Sequence, residues 1–258
     1  MRNFSPVILA DADNTLWDTD AVFASAQLKM LASIDPRFNN APFDGAIAYV
    51  RRYDQALARY DHRHLRYPPA MLAKALALGA CGVDPILAAR KIVAAAIDSP
   101  LKGDEIDEAL ALYDDALCDI PKLLPGVLEG LRVAKMAGSE VWIISEGGLE
   151  RQHERARLLG IDDLVQGVNE VIKIPEQFAR LRQRFSPAQI FVVGDQPDRD
   201  IIPAQVVGCI GVLVPSRFRP AWLTDQVWGA AVHVADKFDE AIEWIISHYA
   251  PTANIALK

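Results

Sequence analysis

The sequence predicts an α/β fold in two parts: a doubly wound parallel-sheet core and an all-helical cap domain inserted near its start. Three observations predict it. Apolar runs within VILADADNTLW (7–17), SEVWIIS (139–145), QIFVVGD (189–195) and CIGVLVP (209–215) are too short for helices and too continuous for a half-exposed sheet. The last three alternate with helical patterns, as βαβ units do. The first is separated from them by residues 18–119, which carry no comparable strand run.

In chain order, the first strand delivers Asp11 and Asp13 to its carboxyl end. Two carboxylates so close repel unless a cation lies between them or one holds a proton. Residues 18–119 are rich in alanine, leucine, arginine and tyrosine at helical spacing. They are broken at Pro36, Pro42, Pro68 and Pro69, Gly82 to Pro85, and Pro100 to Gly103. This is the helical cap, and residues 1–17 and 120–258 form the core, as an insertion into a continuous domain requires. PGVLEGLRVAKMAG (125–138) starts near Pro125, sets Leu128, Leu131 and Val133 or Ala134 on one face, and stops at Gly138. LERQHERARLLG (149–160) stops at Gly160, with Arg151 and His153 on its outer side. PEQFARLRQRF (175–185) stripes Phe178, Leu181 and Phe185, and FDEAIEWIISHY (238–249) is a final amphipathic helix.

Composition narrows the function classes. The net charge of −7 argues against a nucleic-acid partner, because phosphate-backbone binding needs a basic surface. No apolar stretch reaches the ~18 residues of a membrane span. MRNFSP is too short for the parts of a signal peptide, so a cytoplasmic location is expected. Cys81, Cys118 and Cys209 lack metal-type spacing and are expected to be reduced packing residues. His62 and His64 make an H-x-H without a third ligand nearby, which reads as a solvated basic face. His233 and His248 have no companions in the sequence.

Parallel strands bring their carboxyl ends to one edge, where ligands of such sheets bind. That edge collects Asp11 and Asp13 from the first strand, Ser145 from the second, and Asp195 with Asp200 from the strand IFVVG; Lys173 lies between the last two motifs. This set resembles the haloacid dehalogenase superfamily, whose motifs are an apolar strand ending DxDx[TV], one ending in Ser or Thr, a lysine, and one ending in an acidic pair such as GDxxxxD. The matching segments are VILADADNT, VWIIS, Lys173 and FVVGDQPDRD. Four motifs in order make a stronger signal than DxDxT alone.

The resemblance implies a Rossmann-like core and a Mg2+-dependent phosphatase acting on a small phosphorylated metabolite. Asp11, the backbone carbonyl of Asp13, and Asp195 would hold the ion, with Asp200 in support through water or as the partner of Arg199. Mg2+ suits such a site because it takes a few carboxylates and keeps several waters. Asp11 would be the nucleophile, forming an aspartyl phosphate, and Asp13 the acid and then the base. Ser145, Glu146, Gly147 and Lys173 would line the phosphate. The cap would close over the substrate, with Arg52, Arg59, Arg63 or Arg66 attracting its anion.

Several positions depart from the pattern. Glu146 stands where many relatives carry asparagine; capping of the helix near Leu149 is the expectation, and a contact with a cationic substrate group the alternative. Ile174 separates Lys173 from Pro175, so a solvent-facing lysine is the competing reading. Asp198 reads as a turn residue and Thr15 as a local turn bond. Trp17 is a core residue or a pocket wall. A true dehalogenase would lack Asp13, since it has no alkoxide to protonate; a phosphomutase shares the core. A phosphate-accepting receiver domain would order its groups differently. A catalytically silent phosphate-binding or regulatory protein is the alternative of another class.

Overall fold

VILAD is extended because every one of its residues is buried on a sheet covered on both faces. In the computed structural model, which describes residues 5–60, 67–95, 100–217, 219, 223, 227 and 229–249, this segment is strand β1 (Val7–Asp11). The chain divides into two compact units, one of residues 1–20, 120–219 and 223–258, the other of residues 21–119 and 220–222.

The first unit is α/β. Its remaining elements are α6 (Val127–Met136), β2 (Glu140–Ser145), α7 (Leu149–Leu158), β3 (Gly167–Glu170), α8 (Pro175–Phe185), β4 (Ile190–Gly194), α9 (Ile202–Val206), β5 (Ile210–Leu213), β6 (His233–Val234) and α10 (Phe238–Tyr249). The six strands lie in the order β3-β2-β1-β4-β5-β6, all parallel. The chain winds outward from β1 through β2 and β3, then restarts on the other side at β4. The switch point is therefore between β1 and β4, where such sheets open a crevice beyond the strand ends.

Alternate residues of the strands feed two cores. Ile8, Ala10, Ile143, Phe191 and Val193 pack with Val127 and Leu131 of α6 and Phe238 and Ile242 of α10. Val7, Leu9, Ile144, Ile190 and Val192 pack with Phe178 and Leu181 of α8 and Ala204 of α9. This is the doubly wound, Rossmann-like sheet that the sequence predicts. The stripe of α6 is Val127, Gly130, Leu131 and Ala134, with Leu128 only partly buried. The offset arises because the helix begins two residues after Pro125, behind a left-handed Gly126. Gly138 and Gly160 both sit in the left-handed region just past a helix end, where glycine carries no Cβ penalty.

The second unit is helical. It holds most of α1 (Thr19–Ile34), then α2 (Phe43–Ala58), α3 (Pro69–Ala80), α4 (Pro85–Val93) and α5 (Gly103–Leu117). Pro69 and Pro85 occupy first-turn positions, where a missing N–H costs nothing, and Asp84 caps α4 by accepting from Ile86 and Leu87. Its core is built around alanines, including Ala26, Ala73, Ala75, Ala88, Ala89, Ala109 and Ala116, which let helices approach closely. Arg52 lies over the Tyr49 ring. His62, His64, Arg63 and Arg66 fall outside the described residues.

Two expectations need correction here. Only Cys209 is buried, while Cys81 and Cys118 are exposed at helix ends, so neither of those two packs a core. His233 and His248 do have a companion, since both stack on the Trp244 ring. Among the described residues no helix is long and apolar enough to cross a membrane.

Candidate active site

The register fixes which residues leave the sheet together. Asp11 pairs with Ile144, and Ala10 with Val193, so Ser145 and Asp195 each emerge one residue beyond the level of Asp11. Asp200 returns to the same point through a π-helical turn, Pro197–Ile201. Its Oδ2 accepts the Gln196 N–H at 3.0 Å, and Gly194 makes the approach feasible, because a Cβ there would collide with the Asp200 carboxyl group.

Asp11, Asp195 and Asp200 form a buried cluster in which one oxygen of each lies within 4.8 Å of the others. Lys173 joins it from the loop before α8, its Nζ 2.5 Å from Asp11 Oδ1 and 2.6 Å from Asp200 Oδ1. The lysine is thus turned inward, not toward solvent. Burial alone would lower the pKa of this ammonium, but Asp11 and Asp200 outweigh it and hold the proton firmly. Burial is also the largest influence on Asp11, raising its pKa well above the carboxylate range; Lys173 opposes this, and Asp200, Asp195 and Asp13 add to it. Asp195 is pushed up to about 8, first by burial and then by Asp200, against the Ser216 hydroxyl and Lys173.

The donor set fits a hard divalent cation. Were all three carboxylates ionised, the one ammonium would leave two negative charges uncompensated in a buried place, the charge a divalent cation supplies. Both oxygens of Asp195 are buried without a well-formed hydrogen bond. Oxygen ligands alone are what Mg2+ takes. The carboxylates of Asp11 and Asp195, with the backbone carbonyl of Asp13, would hold it, and Asp200, which pairs with Lys173, lies close enough to Asp11 and Asp195 to join or support them.

Asp13 faces a different neighbourhood. Its Oδ1 accepts from the Thr19 hydroxyl at 2.6 Å and Trp17 Nε1 at 3.2 Å, and lies 3.6 Å from the Arg155 guanidinium. Asn14 adopts a left-handed conformation after it and uses its side-chain oxygen to accept the Asp20 N–H at 2.7 Å. Thr15 bonds locally to Asp11 at 3.4 Å, as the turn role requires, and Trp17 is fully buried in the core.

Ser145 Oγ accepts from the Gly147 N–H at 3.0 Å and from Gln152 Nε2 at 2.8 Å. Glu146 does not cap α7. Its carboxylate accepts the Lys173 N–H at 3.0 Å and pairs with Arg199, while the Leu149 N–H at the helix start goes to Glu170. Burial would raise the Glu146 pKa, but the Arg199 guanidinium and the Lys173 amide lower it overall. The Glu146–Arg199 pair explains two departures from the motif at once: each unusual residue neutralises the other.

Sequence reasoning missed Gln152 and Arg155. They lie three residues apart on α7 and face the same polar edge. The available signal was position, since a helix entered directly from Ser145 must present its first turns beside the strand end.

The sequence pattern of the haloacid dehalogenase-like hydrolases matches residues 6–208. No curated protein matches the sequence significantly. Among solved structures, a haloacid dehalogenase-like hydrolase from Xanthomonas campestris aligns over 95% of this chain and 96% of its own, with 16% identity and a TM-score of 0.62. A predicted phosphoglycolate phosphatase from Haemophilus somnus covers 93% and 97%, at 19% identity and a TM-score of 0.61. A HAD-hydrolase from Bacillus subtilis, described as bound to magnesium, covers 96% and 99%, at 16% identity and 0.59. At these identities the likeness speaks for the fold. With the pattern covering most of the chain and its motif residues meeting at one sheet edge, the chain belongs to the haloacid dehalogenase-like hydrolases.

Proposed function

We propose that this hydrolase is a Mg2+-dependent phosphatase that cleaves a small phosphorylated metabolite through an aspartyl phosphate. The observation that carries the reading is the contrast between two aspartates on one turn. Asp11 sits against Lys173 among buried acids, and Asp13 sits apart, among hydroxyl, indole and guanidinium donors. This contrast supports the assignment of Asp11 as nucleophile and Asp13 as the separate proton carrier, and a dehalogenase needs no second acid.

A bound Mg2+ would offset charge on the transferring oxygens and keep Asp11 ionised. Asp11 attacks phosphorus while the bond to the leaving oxygen breaks, and Asp13 gives that oxygen its proton. Water then attacks the acyl phosphate, Asp13 takes the water's proton, and the bond to Asp11 breaks to release phosphate. Lys173 holds Asp11 in place and shares its charge. Ser145 and the backbone amides of the loops after Asp11 and Ser145 bind the phosphoryl oxygens, where most catalysis of such transfers resides.

The test is phosphate release from p-nitrophenyl phosphate with and without Mg2+, beside Asp11→Asn. Release that depends on the metal and is abolished by the substitution supports the reading. Release that survives in Asp11→Asn, or no release from this or a panel of phosphorylated metabolites, rejects it.

A further inference from the structure

Ser145 has one proton and two lone pairs. Both lone pairs are engaged, one by the Gly147 N–H at 3.0 Å and the other by Gln152 Nε2 at 2.8 Å. That leaves the hydroxyl proton as the one hydrogen-bonding group of Ser145 that these two bonds do not use. Gln152 is fully buried, and the orientation of its amide is set by Asp13, whose Oδ2 lies 3.5 Å from the same Nε2. A flipped amide would turn its oxygen toward that carboxylate and would also accept the Ser145 proton. Gly147 keeps the arrangement open: a Cβ at that position would lie 2.5 Å from Gln152 Nε2 and 3.2 Å from Ser145 Oγ.

We propose that Gln152 is a positioning residue that makes Ser145 an obligate hydrogen-bond donor to a phosphoryl oxygen of the substrate. The inference rests on the phosphatase reading above, since it presumes an anion at the sheet edge. It adds a residue on α7, outside the four motifs, that acts only through the hydroxyl. Replacing the amide with a group that cannot donate frees a lone pair on Ser145, so the hydroxyl can turn back into the protein and its bond to the anion is lost.

The experiment is a double-mutant cycle on the affinity of the full-length protein for inorganic phosphate in the presence of Mg2+, measured by titration calorimetry. Ser145→Ala is expected to weaken binding about tenfold, the scale of a hydrogen bond to a charged group. Gln152→Met should weaken it nearly as much, and the double variant no more than Ser145→Ala alone. Gln152→Leu, uncharged and equally unable to donate, serves as the second variant if the methionine variant does not fold; it too should lose the contribution of Ser145. Wild-type affinity in the Gln152 variant, or losses that multiply in the double variant, would overturn the proposal. If the wild-type protein itself neither binds phosphate nor releases it from p-nitrophenyl phosphate, the phosphatase reading fails first and takes this inference with it.

Discussion

In the α/β unit three carboxylates and one ammonium are buried within a few ångströms of each other, whereas in the helical unit Asp54 and Asp35 each meet a donor of their own. There the Tyr67 hydroxyl donates to Asp54, and Asp35 is held by Arg37, whose bond lowers the Asp35 pKa. Matched pairs stabilise or are neutral. An unmatched acidic cluster is costly, and a fold retains it only where something else supplies the missing charge. The difference teaches that the strand ends of the α/β unit carry a buried charge imbalance that these pairs of the helical unit do not.

The most direct way to break this contrast is at Asp13. Asp13→Asn keeps the shape and removes the proton carrier, so hydrolysis of an alkyl phosphate should fall by about 10^2–10^4. With p-nitrophenyl phosphate the first step should suffer far less, because its leaving group departs without a proton. Steady-state rates on the two substrates, with burst kinetics on the second, check this. Equal losses on both would remove Asp13 from the acid role.

The next largest effect is expected at Lys173, the one cation inside the cluster among the described residues. Lys173→Met leaves Asp11 and Asp200 facing each other without it and should cost about 3–5 kcal/mol, read from urea unfolding of the metal-free protein. A cost below about 1 kcal/mol would mean that the acids are already neutralised by other means.

Much of this was legible in the sequence, for a physical reason. A buried parallel strand must be continuously apolar, so a charged residue that ends it is visible as a break, and strand direction alone places it at the ligand edge. Asp11, Ser145 and Asp195 were found in this way, and Lys173 and Asp200 through the motif order of the family that the sequence resembles. The short strands GVNE and HV were not seen. As edge strands they bury little, and Val168 alone of the first four is buried. Glu146 was misassigned as a cap because proximity to Leu149 is a local signal, while its true partners, Lys173 and Arg199, are 27 and 53 residues away. Gln152 and Arg155 escaped because their signal was their position beside the strand end, not their residue type: on an outwardly polar helix a polar residue does not stand out.

The acidic cluster also predicts a pH dependence. Burial and Asp200 raise the Asp195 pKa to about 8. The unfolded carboxyl titrates near about 4, so between these values the folded state binds the extra proton, and stability falls as pH rises through the interval. The metal-free protein should therefore lose more melting temperature between pH 5 and pH 8 than Asp195→Asn does, by a few degrees. Mg2+ should reverse the loss, adding more at pH 8 than at pH 5, because the ion binds deprotonated ligands. Thermal melts at the two pH values, with and without Mg2+, decide the matter. A parallel slope in wild type and Asp195→Asn would contradict the unmatched charge.

The smallest effect is expected in the helical unit, at Tyr67. Burial, then Asp54, raises its phenol above the usual range, so the hydroxyl is a donor at every working pH. Tyr67→Phe removes one hydrogen bond and no packing, which should cost about 1 kcal/mol and lower the melting temperature by about 2–4 °C. The Asp54 carboxylate keeps other interactions, so the substitution does not strand a buried charge. Turnover on p-nitrophenyl phosphate should stay within about twofold of wild type, because no reacting group depends on this pair. A large fall in kcat with only a small fall in stability would mean that the helical unit shapes the chemistry itself, and the division between an unmatched catalytic unit and a matched structural one would have to be redrawn.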